Sequence, residues 1–214
     1  MATKLGIFRS VHLLVKQNPV GMTVSDDDQM VNTINLAYDA AIAHLLEQGL
    51  WNFATRTVQA EASDDISSQF GFNFVFEKPA DYAGRLVALS ANEYFRPPLQ
   101  HYHEDGGLEG YFFADNDPLY IRYISNSSDY GLNLGAWPAS FTRAVEYEIA
   151  YRVAPHITNM SAAEKEELRK EKVRALRDAR SKDALNQAPE RPPVGRLVQS
   201  RRGGMGRRDY WRSE

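Results

Sequence analysis

The chain contains no cysteine, which removes disulfides, thiolate nucleophiles and cysteine-ligated zinc together. Long apolar runs are missing too. The stretch from Ile7 to Val15 is interrupted by Arg9 and His12 and followed by Lys16, and no small-residue cleavage site comes after it. It therefore reads neither as a membrane span nor as a signal peptide, and an intracellular origin is expected. Catalytic signatures are equally scarce: no glycine loop opens a helix after a strand, and neither His-Glu-x-x-His nor Gly-x-Ser-x-Gly occurs. The expectation is a non-enzyme that needs no cofactor.

What is present is an ordinary globular composition. At 214 residues, 43% hydrophobic and 25% charged, the chain can bury one well-packed core and carry appendages, with little room for a second full domain. The formal charge of -3 hides an uneven distribution. From Pro189 onward seven arginines face three acids, which gives about +4 there and leaves about -7 on the body. An acidic body repels nucleic acid, because affinity for phosphates comes from cations that displace counterions. The basic end has almost no apolar run and cannot bury enough surface to fold alone, so it needs a partner.

Helical periodicity marks both halves of the chain. Lys4 to Lys16 reads as a short helix ending before Asn18-Pro19. Ser25 to Asp28 supply capping oxygens and negative charge to a helix over Asp27–Gln48, whose Met30, Ile34, Tyr38, Ala41, Ile42 and Leu45 recur at helical spacing. Three adjacent aspartates on a helix do not converge on one point, which favours capping over metal binding. Trp137-Pro138 opens a helix over Ala139–Ala154 with Phe141, Val145, Ile149 and Val153 four apart. Ser161 to Glu164 has the capping-box pattern and opens a charged helix to about Asn186, with Glu166/Lys170 and Asp178/Lys182 as four-apart pairs. Its apolar seam is thin, so most of it is a solvated or intersubunit face.

Between Gly49 and Gly135 the period changes to two. Strands are expected from Trp51 to Gln59, at Phe72 to Phe76, Arg85 to Ser90, Gly110 to Ala114 and Leu119 to Ser125, with Asp115 to Pro118 as a turn. The fold class that follows is α+β: a helical bundle core (1–50 and 136–188), an inserted small β-sheet or barrel (51–135) and an extended basic C-terminal arm (189–214). Trp51 and Phe53 read as core fillers where helix becomes strand. Asp81 and Arg85 are four apart and able to pair. His101 and His103 alternate beside Glu104 and Asp105, which would suit a metal on a strand, but Gly106-Gly107 and the polar surroundings favour an exposed loop.

The order of these features resembles the tail tubular protein A family of short-tailed bacteriophages, which are head-to-tail adaptors. The resemblance is carried by Gly49-Leu50-Trp51-Asn52-Phe53 after a long amphipathic helix, Lys78-Pro79-Ala80-Asp81-Tyr82 with Arg85-Leu86, Tyr120-Ile121-Arg122-Tyr123-Ile124, and Pro138 with Phe141 opening an alanine-rich helix. It runs from about Gly6 to Gln187, and the charged helix and basic tail depart from the family pattern. It implies a virion structural protein of the neck, made in the host cytoplasm. Such a protein forms a ring, commonly of twelve subunits, that binds the portal protein above and a tail nozzle or tail tube component below. Packaged DNA would pass through the lumen without specific binding, and an acidic lumen suits that passage. No membrane partner is implied.

Within that frame Arg196, Leu197, Val198, Arg201, Arg202, Tyr210 and Trp211 are expected to reach along a neighbouring subunit or the portal, with the aromatic pair as anchors and arginines pairing with carboxylates. Tyr94, Phe95 and Arg96 form a turn that is a candidate tail-side or intersubunit contact. The rival readings are a nucleic-acid-binding protein that stacks Tyr210 and Trp211 on bases, and a metal-dependent hydrolase built on His101 and His103.

Overall fold

The helical segments fold where their periodicity places them. A computed structural model describes residues 2–15, 23, 29–64, 66–67, 71–95, 99, 101–106, 109–157 and 160–186. Among these are four helices and six strands: α1 (Lys4–Leu14), α2 (Gln29–Glu47), β1 (Thr55–Ala60), β2 (Phe74–Glu77), β3 (Tyr82–Ser90), β4 (Tyr102–Gly106), β5 (Glu109–Ala114), β6 (Leu119–Ser125), α3 (Ala139–Ile157) and α4 (Ala162–Ala184). The fold is mixed α+β. No helix among the described residues is long and apolar enough to cross a membrane.

Helix α3 is the central helix, packing against α1, α2 and α4. Phe141, Val145, Ile149 and Val153 are all fully buried on it, each contributing roughly 1.5–3 kcal/mol by leaving water. The helix continues past the expected end at Ala154 to Ile157, with Pro155 inside its last turn, where a missing N–H removes only one ladder bond. Its buried carboxylate, Glu148, bonds Arg152 Nε at 2.8 Å and Lys172 Nζ at 3.2 Å, which ties α3 to α4. Helix α4 starts on the expected capping box, Ser161 with Glu164. Its direct ion pairs differ from those expected. Arg169 bonds Glu166 and Arg174 bonds Glu171, each three residues apart, and Lys170 acts on Glu166 only through its field. Three apolar side chains of α4, Leu168, Ala175 and Ala179, are buried on the seam.

The β region is two sheets, not one sheet or a barrel. One has the order β1-β6-β3 and the other β2-β5-β4, and every pairing is antiparallel. The Asp115 to Pro118 turn therefore passes the chain from one sheet to the other. Phe76, Phe112, Leu119, Ile121 and Tyr123 form a core shared by both sheets, while Ile124, Phe53, Ala83 and Val87 join the helical core. The β1-β6-β3 sheet is thus a middle layer, because alternate side chains of a strand face opposite ways.

Three local expectations need correction. Residues 102–106 are not a loop: they form β4, an edge strand paired with β5, whose backbone bonds do not require apolar side chains. Before β1 the chain makes a single 3-10 turn at Asn52–Ala54, so the strand starts at Thr55 and not at Trp51. Strand β3 begins at Tyr82, ahead of Arg85, because Gly84 at φ +76° sits in an irregular stretch of register that only a residue without Cβ enters easily.

Candidate functional site

Segments far apart in sequence meet at the junction of helices and sheets. Gly49 ends α2 close enough to Trp51 that an added Cβ would lie 2.7 Å from the indole. That indole donates from Nε1 to the Leu45 carbonyl at 2.8 Å and meets the Phe141 ring edge-on at 4.8 Å between centroids. Phe53 lies 4.7 Å from the same ring and Trp137 5.0 Å. Asn52 completes the joint. Its backbone N–H donates to Asp183 Oδ2 at 3.0 Å and its side-chain amide to the Asp183 carbonyl at 2.7 Å, which fixes the end of α4 to the start of β1. Burial pushes the Asp183 carboxyl up, with the Asn52 bonds opposing it.

On the other side of the middle sheet, Asp81 holds a second joint. Its carboxylate accepts from Tyr123 Oη at 2.6 Å, from Ser125 Oγ at 2.5 Å and from an Arg56 guanidinium nitrogen at 2.8 Å. Asp81 pairs with these residues and not with Arg85, as its spacing had suggested. The reason is that Asp81 precedes a strand, where residues four apart do not stack as they do on a helix. Partial burial alone would raise its pKa, but the donors Ser125, Tyr123 and Arg56 outweigh it and hold the carboxyl below the ordinary range. Burial, together with Asp81, raises the Tyr123 phenol.

At the end of β3 a tight turn presents two of the expected contact residues. Asn92 Oδ1 accepts from the Tyr94 N–H at 3.1 Å, and the Phe95 N–H donates to the Asn92 carbonyl at 3.2 Å. Phe95 takes φ +56°, a left-handed conformation unusual for a residue with a bulky side chain. Its ring lies 4.0 Å from the Arg122 guanidinium carbon, a stacked cation–π contact, and Arg122 Nε also donates to Thr57 Oγ1 at 3.3 Å. The turn is therefore braced on β6 and β1 of the middle sheet through Arg122 and Thr57, and it leaves Tyr94 77% exposed. Arg96 and the arm residues Arg196, Leu197, Val198, Arg201, Arg202, Tyr210 and Trp211 lie outside the described residues, as do Asp26, Asp27 and Asp28.

Of the histidine pair, His103 sits on the edge strand β4 and His101 immediately precedes it. His101 Nδ1 is 3.1 Å from the Leu99 carbonyl, and His103 opposes Phe112 in the ladder. Both are exposed, and among the described residues no group of three His, Cys, Asp or Glu side chains could hold a metal ion. Two hollows stand out among the described residues. A polar cleft of about 630 Å³ lies at the end of the sheets remote from the helices, lined by Glu61, Asp64, Asn73, Phe74, Asp117 and Pro118 among others. A smaller one of about 300 Å³ lies at the junction between Gly49, Arg85 and Arg180.

The Asp81 node was hidden from sequence reasoning, because Tyr123 and Ser125 lie more than forty residues away and only strand register brings them in. The same holds for Arg122 under Phe95. No protein-family model matches the chain, and no curated protein matches it.

Proposed function

We propose that this chain is a structural head-to-tail adaptor of a bacteriophage virion. Copies would form a ring that joins the portal to the tail and lets the genome pass during ejection. In this reading the helices form the bundle core of each protomer, the sheets are its inserted β region, and the basic segment after α4 is the arm that reaches a neighbour or the portal.

The observation that carries the reading is where the motif residues sit. Gly49 to Phe53 and Phe141 make one junction cluster, and Asp81 with Tyr123 makes the other. A succession of loose motifs gains weight when its members, up to ninety residues apart, support one another physically, since unrelated matches would scatter. Charge supports it further, because an acidic body lets phosphates slide where a cationic one would hold them. The braced turn with its exposed Tyr94 suits a contact surface.

The test mixes the full-length chain with the purified portal of the same phage and images the product by negative stain. Rings stacked on portal are expected. Deleting residues 193–214 should weaken attachment by about tenfold or more. Absence of any complex removes the adaptor reading; rings with unchanged affinity after the deletion remove the arm alone.

A further inference from the structure

We propose that the outward face of α4 docks head-to-tail on the acidic, helix-remote end of the sheets in a second copy of the chain. The inference rests on the ring reading and supplies the two faces that would close the ring.

Charge is segregated along the chain. Residues 51–135 carry twelve carboxylates against five lysines and arginines, whereas residues 170–182 of α4 carry six bases against two acids. On α4 the buried stripe is Leu168, Ala175, Ala179 and Asp183. Lys170, Arg174 and Arg177 fall on the opposite side by helical spacing, and Val173 beside them is 53% exposed. The result, over the C-terminal half of α4, is an exposed cationic face with an apolar centre, on which Arg174 is paired with Glu171 and Lys170 and Arg177 are exposed.

The complementary surface lies at the other end of the molecule. The Asn52–Asp183 bonds place the C-terminal end of α4 at the start of β1. The cleft that holds Glu61, Asp64 and Asp117 begins where β1 ends, six residues further and so about 20 Å away at strand rise. Glu61 and Asp64 are exposed on its rim, and Phe74 and Pro118 line it. One copy cannot bring these ends together, so their attraction is satisfied only between copies. A contact between two different patches is heterologous, and heterologous contacts propagate into closed rings or filaments. A symmetric contact centred on Lys170 to Arg177 would instead set like charges of two helices near each other.

The absence of native cysteine makes the contact directly trappable. Arg177→Cys and Asp64→Cys variants of the full-length chain are mixed and treated with a short bismaleimide. The mixed pair should cross-link at least about tenfold faster than either variant alone. Trapping should weaken as salt rises from about 50 mM to about 500 mM, and a chain carrying both substitutions should give a ladder of multimers. Lys170→Glu in the Arg177→Cys partner should slow the mixed reaction, and Glu61→Lys in the other should restore it. Equal trapping of Arg177→Cys with itself shows a symmetric pair and overturns the proposal. So does salt-independent trapping, or no trapping. Measurable binding of duplex DNA at physiological salt that Lys170→Glu abolishes assigns the face to nucleic acid and also overturns it. A chain that rings on the portal without trapping through these positions keeps the adaptor reading and loses this interface. Failure in both assays removes both.

Discussion

Replacing Asp81 by alanine tests most directly the node that ties β1, β6 and the start of β3 together within the middle sheet. The substitution leaves the Tyr123 hydroxyl and the Ser125 hydroxyl, both on fully buried residues, without the carboxylate they donate to. An unsatisfied buried polar group costs about 1–3 kcal/mol. The Arg56 side chain is 37% exposed, so losing its ion pair adds only about 0–1 kcal/mol. The expected loss is about 3–5 kcal/mol, read by urea unfolding at high salt and low protein concentration so that self-association does not enter. Tyr123→Phe alone should lose about 1–2 kcal/mol, and much less when Asp81 is already alanine, a coupling that a double-mutant cycle reads directly.

The same carboxylate sets a pH dependence with a definite sign. Its folded-state pKa is held below the unfolded value of about 3.9. The stability it contributes is therefore fully present above that value and is lost as pH falls through the depressed one. Asp183 and Glu146 are shifted upward, chiefly by burial, and act in the opposite sense, so the contribution of Asp81 is read as the difference between wild type and Asp81→Asn. That difference should shrink steadily as pH falls below about 4. If Asp81→Ala costs under about 1 kcal/mol, or the difference is flat with pH, the node does not hold the strands of the middle sheet together.

Gly49→Ala forces a methyl against an indole fixed by its bond to Leu45, and a loss of about 1–3 kcal/mol is expected in thermal or urea unfolding. Glu148→Ala removes the shared partner of Arg152 and Lys172 between α3 and α4. Both cations reach water in part, so the cost should be about 2–4 kcal/mol, against about 0.5 kcal/mol or less for Lys170→Met on the solvated face of α4. Tyr94→Ser should leave the unfolding midpoint unchanged, since the ring is exposed, yet weaken ring assembly or binding of the lower tail partner by about tenfold or more; unaltered binding would exclude this residue from the contact.

The parts legible in the sequence are those governed by local rules. Apolar spacing gave α2 and α3, and Ser161 with Glu164 placed the start of α4 to the residue. Trp51 could be read as core because a helix that ends on glycine before an indole needs somewhere to put it. Strand β4 was not legible, since an edge strand exposed on its outer side is stabilised by backbone pairing and carries no apolar alternation. Nor was the partner of Asp81, because register between strands is set by long-range packing. The acidity of the body is a property of composition. That the cleft acids Glu61, Asp64 and Asp117 lie away from the cations of α4 is a property of topology alone.

That separation bears on how the two joints would matter to a ring. In a head-to-tail interface the angle between the two contacting faces of one protomer fixes how many copies close, and every copy repeats the same angular error. For a ring of about twelve the turn per subunit is about 30°, so an error of a few degrees in each copy changes the count or opens the ring. The face on α4 belongs to the helical layer and the acidic end to the sheets. Between them lie the indole cluster around Trp51, the Asn52–Asp183 bonds and the Asp81 node. These contacts are short, directional and buried or half-buried, which makes the junction stiff where a loop would let the layers swing. On the adaptor reading, the residues that carry the family resemblance are therefore the ones that hold the closure angle, and they need not touch any partner to do so.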